Sequence, residues 1–145
     1  GQSGKTGPAG PGAKFVIMPT AFVTPSGVSG LLSGRLVLGL GNRLGLEVDV
    51  GVGLSPYRRF ATSVSGAVLF RVTSVLAVGV GPIGWWDIGD WHGVKEQYLG
   101  CKAGVRFLLL ERVVVSLDAT VGALGKSPGA WKYATGGLLA GGVRF

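Results

Sequence analysis

From Leu44 to Leu54 the chain reads LGLEVDVGVGL, with Leu or Val at every even position and Gly, Glu or Asp at every odd one. A period of two held over eleven residues fits a β-strand with one apolar and one polar face, and no amphipathic helix can produce it. The polar face is unusual, because it carries small residues and two carboxylates (Glu47 and Asp49) rather than Thr, Lys or Ser. Such a face suits a narrow, crowded interior, with the aliphatic face turned outward. About ten residues of apolar-out, polar-in alternation is the pattern of a transmembrane β-strand.

The same alternation recurs. Strand-like runs are expected at Lys14–Thr24, Gly30–Leu40, Leu44–Leu54, Phe60–Phe70, Val75–Gly84, Tyr98–Leu109, Val113–Leu124 and Tyr133–Phe145. The first is apolar on both faces and contains Pro19, so its facing stays open and an irregularity is expected there. Cys101, by parity with Lys102, faces lipid as a small hydrophobe. With 28 glycines in 145 residues a helical protein is disfavoured, and the charged fraction of 14% is low for a soluble domain. The longest uncharged window, Phe15 to Gly34, holds Pro19, Pro25, Gly27 and Gly30 and cannot be a spanning helix. Gly1 and the lack of an apolar leader fit a processed, exported chain.

Residues 1–13 (GQSGKTGPAGPGA) read as a flexible tail preceding a barrel over 14–145. Within the tail, Gly4-Lys5-Thr6 imitates the end of a phosphate-binding loop. It lacks the leading glycine, the preceding strand and the following helix.

Connections after the second, fourth and sixth runs are short (Gly41–Arg43, Arg71–Ser74, Leu110–Arg112). Those after the first, third, fifth and seventh are longer (Pro25–Ser29, Ser55–Arg59, Trp85–Gln97, Lys126–Lys132). Short turns on one side and long loops on the other are the sidedness of outer-membrane barrels. The aromatics bracket the runs. Phe15, Phe22, Phe60, Phe70, Tyr98, Phe107, Tyr133 and Phe145 stand near run ends, and Tyr57, Trp85, Trp86, Trp91 and Trp131 in or beside long loops. Two belts of interfacial rings are expected, set apart by a tilted ten-residue strand rising about 25 Å.

On these features the chain resembles the small eight-stranded outer-membrane proteins of the OmpA and OmpX type, over Lys14 to Phe145. The resemblance implies an all-β, antiparallel, up-and-down transmembrane barrel in the bacterial outer membrane, with short periplasmic turns and longer external loops. The ending Leu139-Ala140-Gly141-Gly142-Val143-Arg144-Phe145 is similar to the family's C-terminal assembly signal, although Gly141 stands where a hydrophobic is usual. It implies that the barrel-assembly machinery reads Phe145.

The inward positions gather Arg35, Glu47, Asp49, Lys102, Arg106, Asp118 and Arg144. A three-residue turn at 41–43 sets Arg35 opposite Asp49 and near Glu47, and one at 110–112 sets Arg106 diagonal to Asp118. In so narrow a lumen these charges are expected to pair as a salt-bridge plug rather than line a gated pore. A small-ligand barrel of the lipocalin kind would need an apolar interior, against this charged set.

The loop Trp85–Gln97 offers Asp87, Asp90, His92 and Glu96 as metal ligands or an acid–base pair. It has one His and no serine nucleophile, and the marks of lipid A-modifying barrel enzymes are missing, so no enzyme activity and no cofactor are expected. Arg58, Arg59, Lys95, Lys126 and Lys132 fall on the external side, suited to lipopolysaccharide phosphates. Nucleic-acid binding is not expected, because the aromatics belong to the membrane belts. The role read from the chain is therefore structural or surface-interacting, alone or within an envelope complex.

Overall fold

A computed structural model describes residues 12–89, 96–126 and 131–145. Eight strands follow in chain order: β1 (Gly12–Thr24), β2 (Gly27–Gly39), β3 (Leu44–Leu54), β4 (Phe60–Arg71), β5 (Leu76–Gly89), β6 (Glu96–Leu109), β7 (Val113–Lys126) and β8 (Trp131–Arg144). Each pairs antiparallel with its sequence neighbour, and β1 pairs with β8, so the sheet closes into a barrel without edges.

Facing follows the period-two pattern. On β3, Leu46, Val48, Val50 and Val52 stay exposed while Gly45, Glu47, Asp49 and Gly51 are buried. The same holds for Val64 and Val68 on β4, Leu99 on β6, Leu117 and Val121 on β7 and Leu139 on β8, all outward and exposed. An apolar band around the whole circumference far exceeds what a water-soluble monomer exposes, and its physical complement is lipid. On β1, left open by the sequence, Val16, Met18 and Phe22 point inward, and Phe15, Ile17 and Val23 outward. Pro19 causes no bulge. The β1–β2 register runs unbroken through Pro19↔Leu32, and the β1–β8 ladder simply skips from Ile17↔Val143 to Thr20↔Ala140. Proline has no N–H to contribute there.

Three expectations are corrected. The strands run longer than the ten-residue estimate, and β1 already begins at Gly12, inside the segment assigned to the tail. The first of the supposed long loops is a tight turn of Pro25 and Ser26 alone, with Thr24 paired to Gly27. Gly27 has φ +132°, and a Cβ there would meet Pro56 at 2.9 Å. Strict short–long alternation is therefore lost. Finally, much of the stretch Trp85–Gln97 is strand, since β5 continues to Gly89 and β6 starts at Glu96. The rest of the tail, together with Asp90, Trp91, His92 and Lys95, lies outside the described residues.

Candidate functional site: the barrel lumen

The middle of the lumen holds three cations and three anions, drawn from β2, β3, β6 and β7. Arg35 grips Asp49 with two bonds, Nε to Oδ1 at 2.8 Å and Nη2 to Oδ2 at 2.9 Å. Its third arm, Nη1, donates to Ser116 Oγ at 2.6 Å. This pair follows from register, because Arg35 and Asp49 are direct partners across β2 and β3.

Arg106 donates from Nε and Nη2 to the two oxygens of Glu47, at 2.9 and 2.8 Å, and from Nη1 to Asp118 Oδ1 at 2.6 Å. The Asp118 contact is the diagonal one, since Arg106 pairs with Ser116 and Gly104 with Asp118. A Cβ on Gly104 would collide with the Leu117 carbonyl oxygen and the Asp118 carboxylate, so glycine there makes room for the acid. Lys102 Nζ completes the set, donating to Ser65 Oγ at 2.9 Å, Glu47 Oε2 at 3.2 Å and Asp49 Oδ2 at 3.4 Å.

All six charged residues are buried. Isolated, each charge would carry a desolvation penalty of several kcal/mol, and here each faces an opposite charge. Arg144 stands apart from this group. It is partly exposed at the end of β8, where Nη2 donates to the Glu111 carbonyl at 2.7 Å.

Toward the loop end, aromatic rings replace charges. Trp85 and Tyr98 have no exposed surface, and Phe22 packs edge-on against both, with ring centroids 6.0 and 5.4 Å away. The Tyr98 hydroxyl lies 3.0 Å from Thr120 Oγ1 and donates to the Ala134 carbonyl at 3.1 Å. Trp85, expected in the interfacial girdle, is thus a lumen residue, as are Tyr98 and Phe22. The longer strands carry their inward parity past these rings.

Outward rings do form two zones. Phe15, Phe70, Phe107 and Phe145 are exposed near the end that carries the chain termini. Near the loop end stand Phe60, Trp86, Trp131 and Tyr133, with Trp86 Nε1 donating to Gln97 at 3.1 Å and the Trp131 indole lying over Gly125.

The two described carboxylates of the supposed metal loop, Asp87 and Glu96, point inward at the loop end and are engaged. Asp87 pairs with Arg59 at 3.0 Å, and Glu96 accepts from Ser26 Oγ at 2.8 Å. Among the described residues no group of three or more His, Cys, Asp or Glu could hold a metal. Arg59, expected to face lipopolysaccharide, is bound to Asp87 and stacked on Tyr57, with its guanidinium 4.7 Å from the ring centroid. Arg58 and Lys132 are exposed, and the side chain of Lys126 lies outside the described set.

Neither a protein-family model nor a curated relative matches the chain. Solved structures do. The N-terminal β-barrel domain of Pseudomonas aeruginosa OprF aligns with a TM-score of 0.59 at 14% identity, covering 94% of this chain and 100% of that one. The Yersinia pestis outer membrane protein Ail, in a phospholipid bilayer nanodisc, aligns at 0.52 and 12%, covering 92% and 100%. A de novo designed transmembrane β-barrel aligns at 0.54 and 15%, covering 94% and 98%. At these identities the likeness establishes the fold, and the apolar exterior supplies the solvent: this is a small eight-stranded transmembrane β-barrel of the outer-membrane type.

Proposed function

We propose that the protein is a closed, non-conducting barrel of the bacterial outer membrane whose role is structural or surface-interacting, not enzymatic. The observation that carries this reading is the layered filling of the lumen. A charge-balanced group of six residues spans the middle, and Trp85, Phe22 and Tyr98 fill the space above it. An eight-stranded barrel has room for little beyond such side chains. A shell that transports nothing acts through its ends and its outer wall.

On that reading Arg58 and Lys132, exposed at the loop end, are the cations best placed for lipopolysaccharide phosphates. Arg59 serves instead to hold Asp87. Phe145, exposed beside β1 with its N–H donating to the Phe15 carbonyl at 2.7 Å, sits where an assembly factor could read it. Asp87 and Glu96 keep a structural role.

Folding in the presence and absence of detergent comes first, followed by circular dichroism and gel mobility before and after boiling. A heat-sensitive compact band that needs micelles, with no current in planar bilayers, is the expected result. Stepwise conductance would overturn the closed-barrel reading. A monomeric β-protein in plain buffer would overturn the membrane reading altogether.

A further inference from the structure

Below the charge group, at the end carrying the chain termini, the lumen opens into a cavity of about 300 Å³. Its floor is the pair Glu47–Arg106 with Arg35, and its wall is aliphatic: Val16, Val37, Leu69, Leu108 and Val114. The cavity persists because the inward positions beside its floor are small: Gly45, two residues along β3 from Glu47, and Ala77, the β5 partner of Arg106.

The rim is of one sign. At this mouth the lining side chains include Lys14 from β1, Arg71 from β4 and Arg144 from β8, and Arg43 joins them from the β2–β3 turn. Among the described residues only one carboxylate lines the cavity, Glu47, and it is held by Arg106, Arg35 and Lys102. Six cations thus surround a greasy cup whose single acid is already neutralised. Its volume is at the lower bound of small-molecule sites, about 300–1,000 Å³. Low-dielectric walls around like charges focus a field that draws counter-ions in.

We propose that this cavity binds a small, soluble amphipathic anion. The apolar body would rest on Val16, Leu69 and Val114, and a carboxylate, sulfonate or phosphate would lie among Lys14, Arg71 and Arg144. An ion without an apolar part would leave the wall solvated, and a neutral hydrophobe would gain nothing from the positive field of the rim. Both elements are therefore needed.

The test is calorimetric titration of the folded barrel in phosphatidylcholine nanodiscs with naphthalene-1-sulfonate, using naphthalene and inorganic phosphate as single-element controls. Saturable one-to-one binding of the sulfonate is expected, at least tenfold tighter than either control. It should weaken tenfold or more in the Lys14→Gln/Arg144→Gln variant and vanish in Ala77→Phe, which fills the cup without altering charge. Heat-dependent gel mobility verifies that each variant is folded.

Equal heats from empty nanodiscs, or unchanged binding in Ala77→Phe, would overturn the site. Phosphate binding as tightly as the sulfonate would overturn the amphipathic requirement. If phosphatidylglycerol in the nanodisc abolished the titration, the soluble source would be replaced by a lipid headgroup. Conductance is a separate readout, so a barrel that proved open and a cavity that proved empty would be told apart.

Discussion

Glu47 on β3 and Arg106 on β6 meet across the barrel through a two-point bond, 2.9 and 2.8 Å, although 59 residues and three strand-to-strand steps separate them. Their contact ties opposite walls together, whereas Arg35–Asp49 and Arg106–Asp118 only staple neighbouring strands. Glu47 also faces Lys102 and Arg35, at 3.2 and 3.3 Å, so it is the hub of the group.

Removing the hub should therefore be costly. Glu47→Gln leaves three buried cations against two anions, and a loss of about 3–5 kcal/mol is expected. Adding Lys102→Met restores the balance and should recover much of that loss. By the same logic Asp49→Ala should be more harmful than Asp49→Ala combined with Arg35→Leu. Denaturant titration of the four variants in micelles checks both pairs.

The outer wall gives a depth-dependent prediction. Val50 lies mid-strand on the lipid face and Leu44 at the strand's end, both exposed. Val50→Arg should destabilise by about 2–4 kcal/mol in bilayers and Leu44→Arg by about 0–1 kcal/mol. Equal effects at the two sites would mean that the apolar band is not embedded.

The aromatic layer separates stability from closure. Trp85→Ala removes a fully buried ring and should lower stability by about 3–5 kcal/mol. The six charges beneath it remain, so single-channel recordings of the variant should stay at background. A current would make the ring layer, and not the charge group, the seal.

The β6–β7 turn stores strain that can be relieved. Leu110 and Glu111 both hold positive φ, 54° and 63°, without being glycine or asparagine, and Leu110 is 89% exposed. Such backbone disfavours ordinary residues by about 1–2 kcal/mol each. Replacing the pair by Asn-Gly should raise stability by about 1 kcal/mol or more in denaturant melts. The Arg144 bond to the residue 111 carbonyl survives the exchange, because it uses the backbone.

Strand count, the facing of every strand but β1 and the charged interior were legible in the sequence, because a period of two is local and an alternating strand reports its own faces. Register was legible at two of the short turns. The turn at 41–43 places Arg35 opposite Asp49, as the turn at 110–112 places Arg106 diagonal to Asp118. The loops misled for a local reason too. Thr24-Pro25-Ser26-Gly27 and the stretch around Trp85 carry turn and interface residues, yet ladder pairing with the next strand extends β1, β2 and β5 through them.

The tertiary structure alone decided which walls face one another. Alternation dictates that Glu47, Lys102 and Arg106 point into the barrel, but it carries no information about angle around the axis. Closure of β1 on β8 sets that angle, bringing β3 opposite β6 and giving Glu47 its partners. The same closure turned Phe22, Trp85 and Tyr98 from expected membrane anchors into packing. Parity extended along a longer strand points inward, and a lumen this narrow forces inward rings into contact.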